Sequence, residues 1–505
     1  MPDDMSLLTK LVSELGKGNV LTDPEHIYVY SHFGEFGIKP FHQPLAIVRL
    51  GDNLDESGLT ELLEGSGVRI VRSDQHEMVE EYQGPYILLD AQKPVTIDSL
   101  INRLYELDEK RGEQKQTLKD VSSFSHWLVS SLQGRDGYRL WENEEDIGFC
   151  VVQSYFDNVQ TYSSKGRLLL AKGYLNGDLE ESELLSDSIY SCTACGQCYD
   201  QVSLDSLEVN NLIIKTRNKL TQGNNAPKNF NTALENIKAQ GNPAGLPQED
   251  RVLWIEEQVE KHPYKDNPVL FWPGCTTSYR LPELVEDTCE ILEAADYDFG
   301  LLGENEGCCG LILYLSGHWD EARRNGEKIL ESLDGVKRLV TNCSGCYYCF
   351  SRVYPILGLN VPFDVLHTSQ IIKESIQDGR LQLKEYRGSF TWHDPCDLGR
   401  HSHVFEPPRY VLESIPGLNL VEPILNREHA VCCGAGGGLW MYREELTNHV
   451  SQMKLAETLP DNIDGIITGC PTCLLSLRNT AREKKPSLRV LDLVEVVKSC
   501  IQTPN

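Results

Sequence analysis

Nowhere in its 505 residues does the chain hold an uninterrupted run of the roughly 18 to 20 apolar residues that cross a bilayer, so membrane contact is expected to be at most peripheral. Residues 1–20 mix Asp3, Asp4, Lys10, Glu14 and Lys17 among apolar positions, which is not the pattern of an export signal. Positive charge is scarce as well. With 47 basic against 75 acidic residues the net charge is −28, and the electropositive footprint of a nucleic-acid-binding protein is missing. Cysteine is absent from the first 149 residues. The 17 cysteines are instead gathered into four at positions 150–198 and thirteen after Pro273. In a chain read as cytoplasmic, where thiols stay reduced, such clustering points to metal ligation or catalysis rather than to disulfides.

Apolar residues make up 40% of the sequence and charged residues 24%, a globular balance, and the length predicts several domains. Residues 1–145 alternate short strand-like runs (45–50, 68–71, 86–89) with polar helical stretches, an α/β pattern; the mixed-charge run at 108–120 reads as a solvated helix or linker. Residues 146–222 are helical and cysteine-bearing. Residues 223–266 read as a linker, rich in Asn, Lys and Gly over 222–238, followed by a charged helix with Trp254, Ile255 and Val259 on one stripe. From there two modules, 267–387 and 388–505, repeat strand, cysteine-bearing turn and helix. The runs 269–272, 336–341, 389–392 and 466–468 end near Cys275, Cys343, Cys396 and Cys470, and a helix with Leu284, Val285, Ile291 and Leu292 on one face follows the first. Strands alternating with helices predict parallel sheets, whose ligands sit beyond the strand carboxyl ends.

The cysteines of the two modules correspond. Cys275, Cys308, Cys309, Cys343 and Cys346 are matched by Cys396, Cys432, Cys433, Cys470 and Cys473, at offsets of 121, 124, 124, 127 and 127. Each set is a single Cys, an adjacent pair followed by glycine (Gly310, Gly434), and a Cys-x-x-Cys. Thiolates take soft or borderline metals, and glycine lets the backbone turn closely around a bulky group. Five cysteines exceed the four of a tetrahedral zinc site and favour an iron–sulfur cluster, though zinc could use four of them. Farther upstream, Cys192-Thr-Ala-Cys195-Gly-Gln-Cys198 is three-quarters of a bacterial ferredoxin ligand run, with Val202 where a fourth cysteine would stand.

The segments Trp272-Pro-Gly-Cys275, Gly307-Cys-Cys-Gly310, Asn342-Cys-Ser-Gly-Cys346, His393-Asp-Pro-Cys396, Cys432-Cys-Gly434 and Gly469-Cys-Pro-Thr-Cys473 resemble the paired CCG domains of heterodisulfide reductase catalytic subunits and of glycolate or lactate oxidase iron–sulfur subunits. The resemblance implies two non-cubane [4Fe-4S] clusters, one per five-cysteine set, either replaceable by zinc. It also implies a ferredoxin-like domain with two ligand runs separated by a helix such as Ser164-Lys-Gly-Arg167. Aligned on that helix, Cys150 matches the last cysteine of a first run whose other members are gone, so one [4Fe-4S] cubane on Cys150, Cys192, Cys195 and Cys198 is expected. A three-iron cluster on the last three alone is the alternative.

Other features carry plainer readings. Cys289, Cys349 and Cys500 read as packed or exposed thiols. Of His393, Asp394, His401 and His403, which surround Cys396 and could deliver protons, Asp394 with Pro395 reads as turn-shaping. Gly434-Ala-Gly-Gly-Gly438 lacks the Lys-Ser/Thr of a phosphate loop and reads as close packing around the cluster. Residues 20–24, 28–31 and 44–48 resemble the opening of the flavin-binding domain of glycolate and lactate oxidases, but Arg72-Ser-Asp-Gln-His76 stands where a glycine-rich loop belongs, so no flavin is expected in this chain. The expected function is electron transfer within an oxidoreductase complex, from a flavoprotein partner that oxidises a 2-hydroxy acid. Disulfide reduction at the non-cubane clusters is the enzymatic alternative, and a zinc-stabilised docking module the non-enzymatic one; no residue is read as catalytic, and the electron acceptor is not legible.

Overall fold

The computed structural model describes residues 4–32, 44–50, 56–63, 66, 68–72, 86–90, 150–198 and 206–501. The charged run at 108–120, residues 73–76 of the flavin-loop position and residues 143–149 lie outside them. The described residues fall into two compact units: one comprises those between 4 and 189 together with Cys198, the other residues 190–197 and 206–501.

In the first unit, β1 (Val20–Leu21), β2 (Ile47–Val48), β3 (Arg69–Arg72) and β4 (Tyr86–Leu89) form a sheet in the order β1-β2-β4-β3, antiparallel only at β1–β2. Its core is Leu7, Leu11, Val20, Ala46, Val48, Leu59, Leu63, Ile87 and Leu89. The helix Ser164–Asn176 starts where Ser163 caps the Gly166 amide. His26, buried, meets the Thr161 hydroxyl through Nδ1 at 2.6 Å. Burial, its largest influence, lowers the pKa of this imidazole from 6.5 to about 4, against the pull of Asp23 and with the help of Arg49. A folded pKa below the unfolded one stabilises the neutral form: the contribution is complete above pH 6.5 and is lost as the pH falls towards 4. Acid should therefore cost this unit about 3 kcal/mol over that window, and His26→Gln should flatten the profile in thermal melts taken between pH 7 and pH 4.

The second unit carries the two modules. In the first, β5 (Val269–Phe271), β6 (Phe299–Gly300), β7 (Arg338–Thr341) and β8 (Asp364–His367) form an all-parallel sheet in the order β6-β5-β7-β8. In the second, β9 (Gly388–Trp392), β10 (Leu418–Leu420), β11 (Gly465–Thr468) and β12 (Arg489–Asp492) repeat it as β10-β9-β11-β12. Strands β5, β7, β9 and β11 and the helix Glu283–Ala294, with Leu284, Val285, Ile291 and Leu292 buried, stand where periodicity expected them. The repeated cysteine pattern therefore reflects a repeated fold.

Two local expectations change. Within the stretch read as linker, Lys228–Gln240 is a helix whose Phe230, Ala233 and Ile237 are buried. Their i, i+3, i+7 spacing was hidden by polar neighbours. In the following segment Ile255 is buried but Trp254 is 68% exposed, because the chain is only helical from Glu256 to Lys261 and no continuous stripe forms. Among the described residues no helix is long and apolar enough to cross a membrane.

Candidate metal centres

In both modules the chain leaves the first strand to one side and returns for the third on the other, so the loops after these two strands diverge across a crevice at the carboxyl edge. Cys275 follows β5 and Cys343 follows β7 at this switch point; Cys396 and Cys470 follow β9 and β11 in the same way. Helices begin at once, the short Cys275–Arg280 and Ser344–Tyr348 and the longer Pro471–Lys484. The adjacent pairs come from the loops behind the second strands.

The thiols of each set touch. Cys275 meets Cys308, Cys308 meets Cys309, and Cys309 meets Cys346, which meets Cys343. In the second set Cys396 meets Cys432, Cys432 meets Cys433, and Cys433 meets Cys473, which meets Cys470. None of these cysteines is in a disulfide. Contact with Cys309 and then Cys343, together with burial, pushes the Cys346 thiol well up, whereas hydrogen bonds from Cys432 and Cys473 hold Cys433 well below the usual thiol range. Gly310 and Gly434 both turn the chain at positive φ, +86° and +90°, and each donates its amide to the first sulfur of the pair, at 3.4 Å to Cys308 and to Cys432. The close backbone turn expected after the pair is present in both copies.

Charged groups that sequence reasoning missed stand behind these sulfurs. Arg251, 1% exposed, donates Nη1 to Glu306 at 2.7 Å and Nη2 to Cys275 Sγ at 3.5 Å, while Glu306 also accepts from the Gly274 amide. In the second module Lys454 is buried and donates to the Val431 carbonyl at 2.9 Å. Burial lowers its pKa to about 8, with Cys433 and Cys432 pulling it back up. Asp394 accepts the Trp392 indole N–H, both Nη atoms of Arg409 and the Arg427 amide, a buried ion pair with two further bonds.

Of the remaining cysteines, Cys349 also touches the Cys309 thiol, and its counterpart in the second module defines its role. The Cys349 thiol donates to the Cys309 carbonyl at 3.2 Å, and at the matching offset of 127 the Ser476 hydroxyl donates to the Cys433 carbonyl at 2.9 Å. The same structural bond is made by sulfur in one copy and oxygen in the other. Cys289 and Cys500 are buried.

Of the ferredoxin-type run, Cys192 and Cys195 belong to the second unit and Cys150 and Cys198 to the first. Cys195 shares a thiol hydrogen bond with Cys432, so the run reaches the second five-cysteine set at this sulfur. Its loop is held by the buried Arg217, which donates to the Cys192, Leu315 and Gly437 carbonyls at 2.6, 2.8 and 2.9 Å, by Arg400 on the Cys195 carbonyl at 2.8 Å, and by His401 on that of Ala194. The glycine loop packs closely against this loop rather than only around a cluster: a Cβ on Gly437 would lie 2.7 Å from the Thr193 carbonyl carbon, at φ +62°. Gly437→Ala should therefore cost about 2–4 kcal/mol, read as a lowered denaturation midpoint. Within the first unit, buried Arg167 donates to Cys150 Sγ at 3.2 Å and to the Ser188 carbonyl.

The donor sets fit an iron–sulfur cluster. Each offers five buried or half-buried thiols in one place with a cation at its back, which suits anionic ligation. Two buried rings at the same position of each copy, Trp272 through Nε1 and His393 through both ring nitrogens, have no hydrogen-bond partner in the protein, and such a group is costly unless something accepts from it. The His393 ring lies with Cys433 and Cys473 in a group of donors all within 4.8 Å of one another; Cys396, Asp397 and His401 form a second such group. Nine cysteines of the two sets open onto a single cavity of about 130 Å³.

A family description, the cysteine-rich CCG domain, matches residues 269–351 and 390–478. One of the subunits of the dihydromethanophenazine:CoB–CoM heterodisulfide reductase of Methanosarcina barkeri is 31% identical over 350 residues, 66% of this chain and 84% of the relative. The probable iron-sulfur-binding oxidoreductase FadF of Bacillus subtilis is 30% identical over 64% of this chain and 48% of its own length. The EtfAB:quinone oxidoreductase of Syntrophomonas wolfei is 29% identical over 62% and 46% respectively.

Proposed function

Since the chain belongs to the CCG-domain family of iron–sulfur oxidoreductase subunits, which includes a heterodisulfide reductase component, we propose that it brings electrons from a flavoprotein partner to the cavity between its two cysteine sets, where a disulfide is reduced. One observation carries this reading: two equivalent thiol sets face one cavity. A pure relay has no need of a shared chamber, whereas a two-electron substrate held between two one-electron centres does. The S–S bond breaks, two S–H bonds form, two electrons arrive from the flavoprotein and two protons from solvent.

The proposed holders of the two non-cubane clusters are Cys275, Cys308, Cys309, Cys343 and Cys346, and Cys396, Cys432, Cys433, Cys470 and Cys473. A cubane is assigned to Cys150, Cys192, Cys195 and Cys198, and Arg167 beside the Cys150 sulfur supports that sulfur as an anionic ligand. Such clusters supply one-electron storage, and the protein supplies ligation, burial and spacing. Arg251 and Lys454 offset thiolate charge; Trp272 and His393 offer N–H groups to it.

The second reading makes the chain a relay for a flavoprotein that oxidises a 2-hydroxy acid of glycolate or lactate type. The glycolate-oxidase-like segments at 20–24 and 44–48 favour it. The experiment is anaerobic purification followed by two assays. Thiol formation from disulfide with a reduced carrier supports the first reading. A co-purifying flavin enzyme that oxidises glycolate or lactate, with no disulfide turnover, supports the second and removes the first.

A further inference from the structure

We propose that the cavity between the two cysteine sets is selective for an uncharged, apolar disulfide, so that the substrate's arms lack the carboxylate, phosphate or sulfonate groups of anionic thiols. The inference rests on the disulfide reading and names the substrate class of the same site.

The observation is the composition of the wall. Apart from the cysteines, the cavity is lined by Pro243, Leu311, Ile312, Leu315, Trp440 and Met441, with glycines, threonines and small residues between them, and its one charged lining residue among the described residues is Asp397. Among those residues no lysine, arginine or histidine faces it. The cations nearby point elsewhere. Arg251 is engaged by Glu306, Ser278 and the sulfur of Cys275, and Lys454 donates to the Val431 carbonyl.

An anionic arm entering such a wall would lose its water and gain no partner, the arrangement most penalised on burial. The Asp397 carboxylate, the thiolate ligands and a chain charge of −28 would all repel it. An apolar arm faces none of these costs and covers the wall. Trp440 supplies the contact point: it is 40% exposed, one of few large apolar side chains left so open among the described residues, and it lines this cavity. An exposed aromatic at a binding mouth offers a flat face of large area to an apolar arm.

Lipoamide and lipoate test this directly, because they share one disulfide and differ by one charge; cystamine, with two ammonium groups, covers the opposite sign. Binding of each to the anaerobic, oxidised full-length protein is measured by calorimetry, with turnover measured in parallel. Lipoamide is expected to bind about tenfold or more tightly than lipoate, because a carboxylate would be buried unpaired. It should bind more tightly than cystamine as well, because two ammonium groups lose their hydration in a wall where Asp397 alone could pair with one of them. Trp440→Ala should weaken lipoamide binding about fivefold or more, the order expected for losing one aromatic contact, while iron content stays unchanged. Equal or tighter binding of lipoate or cystamine overturns the proposal, as does failure of all three to bind or indifference of lipoamide to Trp440→Ala. The outcomes separate the two claims. Selective binding of lipoamide without turnover removes the disulfide-reductase reading and leaves the selectivity standing; turnover without charge discrimination does the reverse.

Discussion

Cys309→Ser is expected to strip about four irons from each chain, one cluster's worth, whereas Cys349→Ala, forty residues on, strips none. Both thiols are buried and both lie beside the first set, so proximity alone does not separate them. The second module does. The Cys309 sulfur touches those of Cys308, Cys346 and Cys349, whereas its counterpart Cys433 touches those of Cys432 and Cys473, because Ser476 stands where Cys349 would. Cys349 donates its S–H to the Cys309 carbonyl, a bond that the Ser476 hydroxyl reproduces in the second module. A residue whose equivalent is serine serves the backbone. Iron and sulfide per chain, assayed after anaerobic purification of each variant, decide the matter; equal losses would make Cys349 a ligand.

Arg251→Met is expected to destabilise the second unit by about 3–5 kcal/mol, the usual result of leaving one member of a buried ion pair without its partner. Arg251 and Glu306 are 1% and 3% exposed at their side chains. Burial pushes the Glu306 carboxyl up to about 7, and Arg251 with the Gly274 amide is what pulls it back. Methionine keeps most of the stem's packing while losing the guanidinium, with its cation–π contact to Tyr279, so the loss reports charge rather than volume. Adding Glu306→Gln should recover a large part of the loss, since an amide needs no counter-charge. Denaturant titration of the single and double variants gives both numbers, and a single-variant effect under about 1 kcal/mol would mean the pair is solvated after all.

Much of the architecture was legible because duplication wrote it twice. Near-constant offsets identified ten cysteines, and apolar runs ending just before four of them located β5, β7, β9 and β11. Their convergence follows from parallel topology, which sends the loops after the first and third strands to one crevice. Less visible were positions whose meaning depends on burial. Arg217, Arg251 and Lys454 look like ordinary surface cations until their partners, a carbonyl or a sulfur up to 220 positions away, are known. The equivalence of Cys349 and Ser476 obeys the same offset of 127, but a comparison confined to cysteine could not reach it. The helix Lys228–Gln240 was masked by asparagine and lysine on its exposed face, although Phe230, Ala233 and Ile237 kept helical spacing. Trp272 and His393 look like mere flanking residues in the sequence, and only their matched, unpartnered nitrogens mark them as facing the sites.

The central claim is that the two five-cysteine sets hold iron–sulfur clusters, and anaerobic quantitation of iron, acid-labile sulfide and zinc in the full-length protein tests it most directly. The account predicts about twelve irons per chain with matching sulfide, from two non-cubane clusters and one cubane. Stoichiometric zinc with little iron would contradict it and leave the sets as structural modules.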